Sequence, residues 1–177
     1  MTPAAAVTVR RLGAADAEAY RAIRLESLAA HPEAFAASHD EEAGQPPAWF
    51  AERLARAAVF GAEAEAGVGP LLGVAGLWFA AEAKRAHKAH LWGMYVRPSA
   101  RGAGAGRALL AAALAHARGR GAEGVQLGVA VGNAPALRLY EAVGFRAYGR
   151  ERAALRVGDR DLDEWLMEAQ PKRQPLS

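Results

Sequence analysis

The sequence predicts a mixed α/β (α+β) single domain with a sheet that is largely antiparallel in its first half. Three features of the chain say so. Strand-like and helix-like periods follow one another as strand, two helices, three strands, helix, strand, helix and two strands. Two of the strands are joined by the turn Gly67-Val68-Gly69-Pro70, which reads as a hairpin. The 177 residues, 52% hydrophobic and 23% charged, suit one domain with an ordinary buried core. Residues 1–170 are expected to form that domain, and residues 171–177 a loose polar tail.

Taken in order, Val7-Thr8-Val9-Arg10 alternates like a short strand. Asp16 is placed to cap a helix running to about Leu28, and His31-Pro32 ends it, because a residue before proline avoids the helical region. Glu33 to Gly44 is polar and reads as a loop or a broken helix. Pro46-Pro47 opens a short helix through Arg56. Ala58–Glu63 and Leu71–Phe79 are the hairpin strands, Ala80 to Ala89 a charged connection, and His90–Val96 a strand stopped by Pro98. Ala105 to about Arg118 is a helix with Leu109, Ala112, Ala113 and His116 on one face, ended by Gly119 and Gly121. Val125–Val131 is a strand. Pro135–Val143 is a short helix with Gly144 just past its end, where a left-handed cap favours glycine. Phe145–Val157 and Asp161–Met167 are strands about a Gly158-Asp159 turn.

Composition excludes several classes. The chain has no cysteine, which removes disulfides, a thiol nucleophile and thiolate metal sites. No apolar run approaches the roughly 20 residues of a membrane helix. The start of the chain lacks a basic leader followed by a long apolar stretch, so a cytoplasmic protein is expected. The net charge of +3 hides an asymmetry. Residues 1–82 carry six arginines against eleven acids, whereas residues 83–122 carry eight basic residues and no acid. A basic block can meet nucleic acid, a membrane or a phosphorylated small molecule. Here the basic residues are dispersed, without interleaved aromatics or a basic recognition helix, which favours the small molecule over nucleic acid or a membrane.

That block surrounds Arg97-Pro98-Ser99-Ala100-Arg101-Gly102-Ala103-Gly104-Ala105-Gly106-Arg107, where a strand stops, a loop crosses and a helix begins. Helix N-termini leave amides unpaired and attract anions. Alternate glycines bare the backbone, and Arg101 and Arg107 add forked donors. An ATP-type loop needs Gly-Lys followed by Ser or Thr, but Gly106 is followed by Arg107-Ala108. A dinucleotide fingerprint needs G-x-G-x-x-G and an acid after the next strand; the spacing here is G-x-G-x-G, and Glu123 precedes that strand. The dinucleotide match is weak, and an enzyme of that kind stays as a competing expectation.

Arg101-x-x-Gly104-x-Gly106 after Val96-Arg97-Pro98 resembles the acyl-CoA signature of the GCN5-related N-acetyltransferase (GNAT) family. Asn133-x-x-Ala136-x-x-Leu139-Tyr140-x-x-x-Gly144-Phe145 is similar to that family's second block, in the same order and separation. The two blocks span roughly residues 90–146. The resemblance implies a mixed, mostly antiparallel sheet of about seven strands with helices on both faces. It implies transfer of an acetyl group from acetyl-CoA directly to a primary amine of a small molecule or peptide. Met94, Tyr95 and Val96 would lie on a strand that splays from its neighbour at a bulge, pairing with the pantetheine arm. An amide there would polarise the thioester carbonyl. Gly102, Ala103, Gly104, Ala105, Gly106 and Arg107, with Arg101, would hold the pyrophosphate. Asn133 would bond the pantetheine or the reacting centre, although it also suits a helix cap before Pro135.

Tyr140 is the candidate general acid for the departing thiolate; a core aromatic on a short amphipathic helix is the alternative, and the spacing from Asn133 and Gly144-Phe145 favours the acid. The base is left open among His87, His90, Glu26, Glu63 and Asp159, or a water chain. The acid common on the family's central strand is missing from His90-Leu91-Trp92-Gly93-Met94-Tyr95-Val96. His87-x-x-His90 lacks a third ligand of characteristic spacing, so no metal is expected. The resemblance implies an acceptor that meets the first two helices and the late strands, segments that include Tyr20, Arg24, Ser27, Phe35, Trp49, Trp78, Trp92 and Asp159; the tryptophans suit the core or an interface better than a binding box, and no amine is named. A non-catalytic acyl-CoA sensor on the same scaffold is the alternative, and a homodimer is the commonest assembly to expect.

Overall fold

A computed structural model describes residues 7–64 and 69–171. Part of the expected hairpin turn, Gly67-Val68, and the tail from Lys172 onward lie outside the described residues. Seven strands form one sheet: β1 (Thr8–Arg11), β2 (Ala58–Glu63), β3 (Gly73–Phe79), β4 (Lys88–Val96), β5 (Gly124–Ala130), β6 (Arg146–Val157) and β7 (Arg160–Ala169). Their spatial order is β1-β2-β3-β4-β5-β7-β6, antiparallel throughout except for the β4–β5 pair. The α-helices are α1 (Ala17–Ala30), α2 (His39–Ala43), α3 (Pro47–Arg56), α4 (Ala105–Gly119) and α5 (Ala134–Ala142). The expected seven-stranded, mostly antiparallel sheet with helices on both faces is what the chain builds.

Strand alternation divides the core in two. Ala58, Phe60, Ala75 and Leu77 face α4, whose Leu109, Leu110, Ala113 and Ala117 are buried against them; Tyr140 and Phe145 join that cluster. Val59 and Val74 face the other way, against Tyr20 and Ile23 of α1 and Phe50 and Leu54 of α3. Strand β2 is buried along its whole length because helices cover both of its faces.

The helix ends follow the expected chemistry with one correction. Asp16 does not cap α1. Its carboxylate accepts from the Gly13 amide at 2.8 Å and from Arg10, in a 3₁₀ turn ahead of the helix. The stretch Glu33 to Gly44 contains the short α2, with Ser38 and Glu41 in a reciprocal capping box. Gly121 and Gly144 sit at φ +81° and +105°. Each is the left-handed residue of a Schellman cap. Ala122 N–H donates to the Ala117 carbonyl and Gly121 N–H to that of Arg118, both at 2.9 Å, and α5 ends in the same way.

Two features open the sheet. β4 and β5 pair only at Lys88–Gly124, Ala89–Val125 and His90–Gln126, then diverge. On its other side, β4 slips register against β3 between Tyr95–Val74 and Trp92–Gly76, so β4 holds one extra residue. Gly93 occupies that bulge at φ +61°, a conformation open to glycine at no steric cost.

Candidate active site

The divergence of β4 and β5 leaves a cleft of about 1390 Å³. Its walls come from β4, the loop before α4, β5, α5, the segment His31–Phe35 and the β6–β7 hairpin. Met94, Tyr95, Val96, Arg101, Gly102, Gly104, Ala105, Gly106, Arg107, Asn133 and Tyr140 all line it. Ala103 does not; its place in the loop is one of spacing.

At the mouth of α4 the first helical bond runs from the Ala108 amide to the Gly104 carbonyl at 2.9 Å. The amides of Ala105, Gly106 and Arg107 therefore have no acceptor within the helix, and they carry the positive end of its dipole. The glycines before and inside this turn differ in purpose. Gly102 and Gly104 are left-handed, at φ +81° and +87°, with open space where side chains would stand. Gly106 is there for contact: a Cβ would lie 3.0 Å from Leu139 Cδ2 of α5, and Met94 and Val96 are close by. The two arginines also separate. Arg101 folds back, its Nε donating to the Val96 carbonyl at 3.0 Å and an Nη lying 3.3 Å from His31 Nε2. Arg107 has no ion pair or hydrogen bond of its side chain among the described residues, which leaves its guanidinium for a ligand.

The open edge of β4 beyond His90 has no partner strand from β5. Tyr95 turns its side chain the other way, and its hydroxyl donates to Glu26 Oε1 at 3.0 Å. Asn133 is both cap and wall: its Oδ1 accepts from the Ala136 amide at 3.2 Å, which leaves the amide NH₂ to donate. Tyr140 is buried to 7% exposure, and its hydroxyl has no partner among the described residues. Burial pushes that phenol above its ordinary value.

None of the base candidates lines the cleft. The Glu26 carboxylate is held low by a hydrogen bond from Arg97, which also reaches it as an ion pair at 2.7 Å. Glu63 is buried against Arg10 at 2.8 Å. His90 stacks flat on Trp78 at 4.2 Å, and burial, then Arg85 and Lys88, lower its pKa. His87 and Asp159 lie outside the walls. Of the expected acceptor contacts, only Phe35 and Trp92 reach the cleft. Tyr20 and Ser27 are core, Arg24 is buried in an ion pair with Glu42, Trp49 stacks on Arg53, and Trp78 is on the surface.

The sequence reading missed Gly93, Gly128, His31 and the β7 acids Asp161 and Asp163 as parts of the wall. Gly93 left a signal, as a glycine inside an otherwise regular strand. The others depend on pairing across the sheet and left none.

Comparisons with known proteins agree with this geometry. A family model described as the acetyltransferase (GNAT) family matches residues 18–145. A mycothiol acetyltransferase of Thermomonospora curvata is 53% identical over 53 residues, 30% of this chain and only 18% of that protein. The structure of yncA from Salmonella typhimurium with its cofactor acetyl-CoA is similar over 97% of this chain and 98% of that one, with a TM-score of 0.76 and 25% identity. A ribosomal-protein-alanine N-acetyltransferase of Brucella melitensis is similar over 92% of this chain and 99% of that one, with a TM-score of 0.72 and 26% identity. A GNAT-family acetyltransferase of Streptococcus pneumoniae shares the fold at a TM-score of 0.81 and 19% identity, over 93% and 99% of the two chains. With a family match across most of its length and the same fold in its structural neighbours, the chain belongs to the GNAT family of acetyltransferases.

Proposed function

We propose that the protein is an acetyl-CoA-dependent N-acetyltransferase that moves the acetyl group directly to a primary amine. One observation carries this: three open amides at the mouth of α4, an unpaired β4 edge and a buried, unpartnered tyrosine share one cleft. The residues fit acetyl-CoA in kind. Left-handed Gly102 and Gly104 let the loop turn its amides outward, and Arg107 adds a free guanidinium for a diphosphate. The open backbone of β4 suits an extended amide-containing arm, like an added strand. The Asn133 NH₂ can donate to a carbonyl of that arm.

When bound, acetyl-CoA supplies an activated acyl carbon and a thiolate leaving group. The backbone beside the Gly93 bulge meets the carbonyl oxygen and stabilises the charge that develops there. Tyr140 keeps its proton through the neutral range because burial disfavours the phenolate, so it acts as an acid and not as a base. Its hydroxyl first hydrogen-bonds the departing sulfur and then protonates it, a role worth about 10²–10⁴ in rate.

The test is acetyl-CoA with a panel of amines: a peptide with N-terminal alanine, single amino acids, spermidine and glucosamine. Free thiol and acetylated product are read together by mass spectrometry. Product with at least one amine is the expected result. Saturable acetyl-CoA binding without product from any amine would favour a non-catalytic sensor. Thermal stabilisation by a nicotinamide dinucleotide but not by acetyl-CoA would remove the proposal altogether.

A further inference from the structure

An amine is protonated near neutral pH, so the reaction needs a group to take that proton. One half-buried carboxylate beside the cleft is not committed elsewhere. Glu164, in the middle of β7, stands opposite Ala130 of β5, and its side chain runs along the sheet to lie over Gly128. A Cβ on Gly128 would stand 2.6 Å from Glu164 Oε2, so the carboxylate occupies the room that glycine leaves. Gly128 lines the cleft, as do Leu162 and Asp163 of β7; Glu164 itself is not a wall residue and reaches the wall at Gly128. This is the face of β5 turned away from the α4 core, since Leu127 and Val129 point into that core. The cleft-lining turn Pro32–Ala34 comes down on β5 and β6.

Among the other acids nearby, Glu151 on β6 and the cleft-lining Glu33 are exposed, Glu33 lying 3.5 Å from His31, and the rest are occupied. Asp161 pairs with Arg156 at 2.6 Å. Asp163 accepts from Arg150 and from the Ala153 amide. Glu168 is held by Lys88 and Gln126. Glu164 has no hydrogen bond or ion pair among the described residues.

We propose that Glu164 is the general base that removes the proton from the acceptor ammonium, seated over the bare backbone of Gly128. The assignment rests on the N-acetyltransferase function proposed above and names a catalytic group for it. Burial, reinforced by Glu151 directly across on β6, raises this carboxyl towards the range where a base is effective. From β5 the residues that meet it are Gly128 and Ala130, and neither titrates. In the step, Glu164 takes one proton from the ammonium and frees the nitrogen lone pair. The C–N bond forms as the C–S bond breaks. Tyr140 gives its proton to sulfur and regains one, through solvent, from the second proton that nitrogen sheds. Glu164 releases its own to water, so one proton leaves per acetyl group transferred.

The test uses the full chain, acetyl-CoA, and the N-terminal-alanine peptide and spermidine as acceptors. Glu164→Gln should lower kcat/KM about 100-fold at neutral pH. The KM for acetyl-CoA should stay within about twofold, and the acidic limb of the pH profile should disappear. Glu151→Gln should move that limb to lower pH by removing the like charge. Gly128→Ala should fold, as a thermal melt would show, because only a flexible side-chain end must give way; pushing the carboxylate aside should still cost at least about tenfold in rate. A Glu164→Gln enzyme with the wild-type rate and profile overturns the assignment while leaving the acetyltransferase in place. A wild type inert towards every amine in the panel removes both.

Discussion

Phe145 closes onto Tyr140: its amide donates to the Tyr140 carbonyl at 3.0 Å, and its ring meets the phenol edge-on with centroids 5.7 Å apart. This is the Schellman cap of α5 with its hydrophobic contact, and Gly144 is its left-handed residue. The spacing Tyr-x-x-x-Gly-Phe is therefore a device that fixes one phenol at a helix end. Tyr140→Phe keeps the ring contact and removes only the hydroxyl. Turnover should fall about 10²-fold or more with acetyl-CoA affinity kept. Phe145→Ala should instead cost about 3–5 kcal/mol in stability, seen as a lower midpoint in urea.

The same burial sets a pH expectation. The folded-state phenol titrates above its ordinary 10.0, so Tyr140 keeps its proton throughout the working range. Rates measured up to pH 10 should show no alkaline decline belonging to this residue. A decline near pH 8 that vanishes in Tyr140→Phe would contradict that.

At Gly93 the space for a methyl group exists, since the nearest atom, Arg24 Nη1, is 3.5 Å from the position of a Cβ. The backbone at φ +61° is what resists substitution. Gly93→Ala should cost about 1–2 kcal/mol in stability. Its effect on kcat should be larger than that loss explains, because relaxing the bulge would turn away the amide proposed to face the thioester carbonyl. A thermal melt and steady-state kinetics on the same sample separate the two effects.

Arg24, Glu42 and Arg53 form a buried ionic triad, with Glu42 accepting from both guanidinium groups at 2.9–3.1 Å. Burial alone would raise the Glu42 carboxyl; the hydrogen bonds and charges of the two arginines overcome that and lower it below its usual 4.5. Its contribution to stability is thus complete above pH 4.5 and is lost as pH falls through the lowered folded-state value. Glu42→Gln should destabilise the fold by about 3–5 kcal/mol, because the buried Arg24 loses its charge partner. The acid side of the stability profile should flatten in that variant, as followed by denaturant titration at pH 3–7.

In the first turn of α4, Arg107→Ala should weaken acetyl-CoA binding and reduce its dependence on salt, since an exposed charge beside a diphosphate is screened. Gly104→Val should weaken binding more, by forcing a β-branched residue into a left-handed turn. Isothermal titration at two ionic strengths distinguishes the charge effect from the backbone effect.

The fold was legible where local chemistry decides it. Proline at helix starts, glycine at left-handed caps and the alternation of β1 placed most elements within a few residues. The anion loop was legible because its signal is contiguous. Asp16 misled because Arg10, at the end of the preceding strand β1, claimed the carboxylate that a cap would have used. The acceptor wall was largely illegible because it is assembled across the sheet. Phe35 and Trp92 share one wall with residues of β7 only after β5 pairs with β7 rather than with β6. Tyr20 and Trp49 look the same as Phe35 in sequence, and only the packing of α1 on α3 sends them inward.

Three rungs join the two halves of the sheet, from Lys88–Gly124 to His90–Gln126. The molecule is consequently stitched tightly at one end and unzipped at the other, so that an extended guest can serve as the missing thread. Without a guest, alternate amides of Leu91–Val96 face solvent and should exchange hydrogen quickly; once one is seated, they should slow together with those of Leu127–Ala130. Strength and receptivity therefore reside in a single pair of strands, separated only by where along their length the stitching stops.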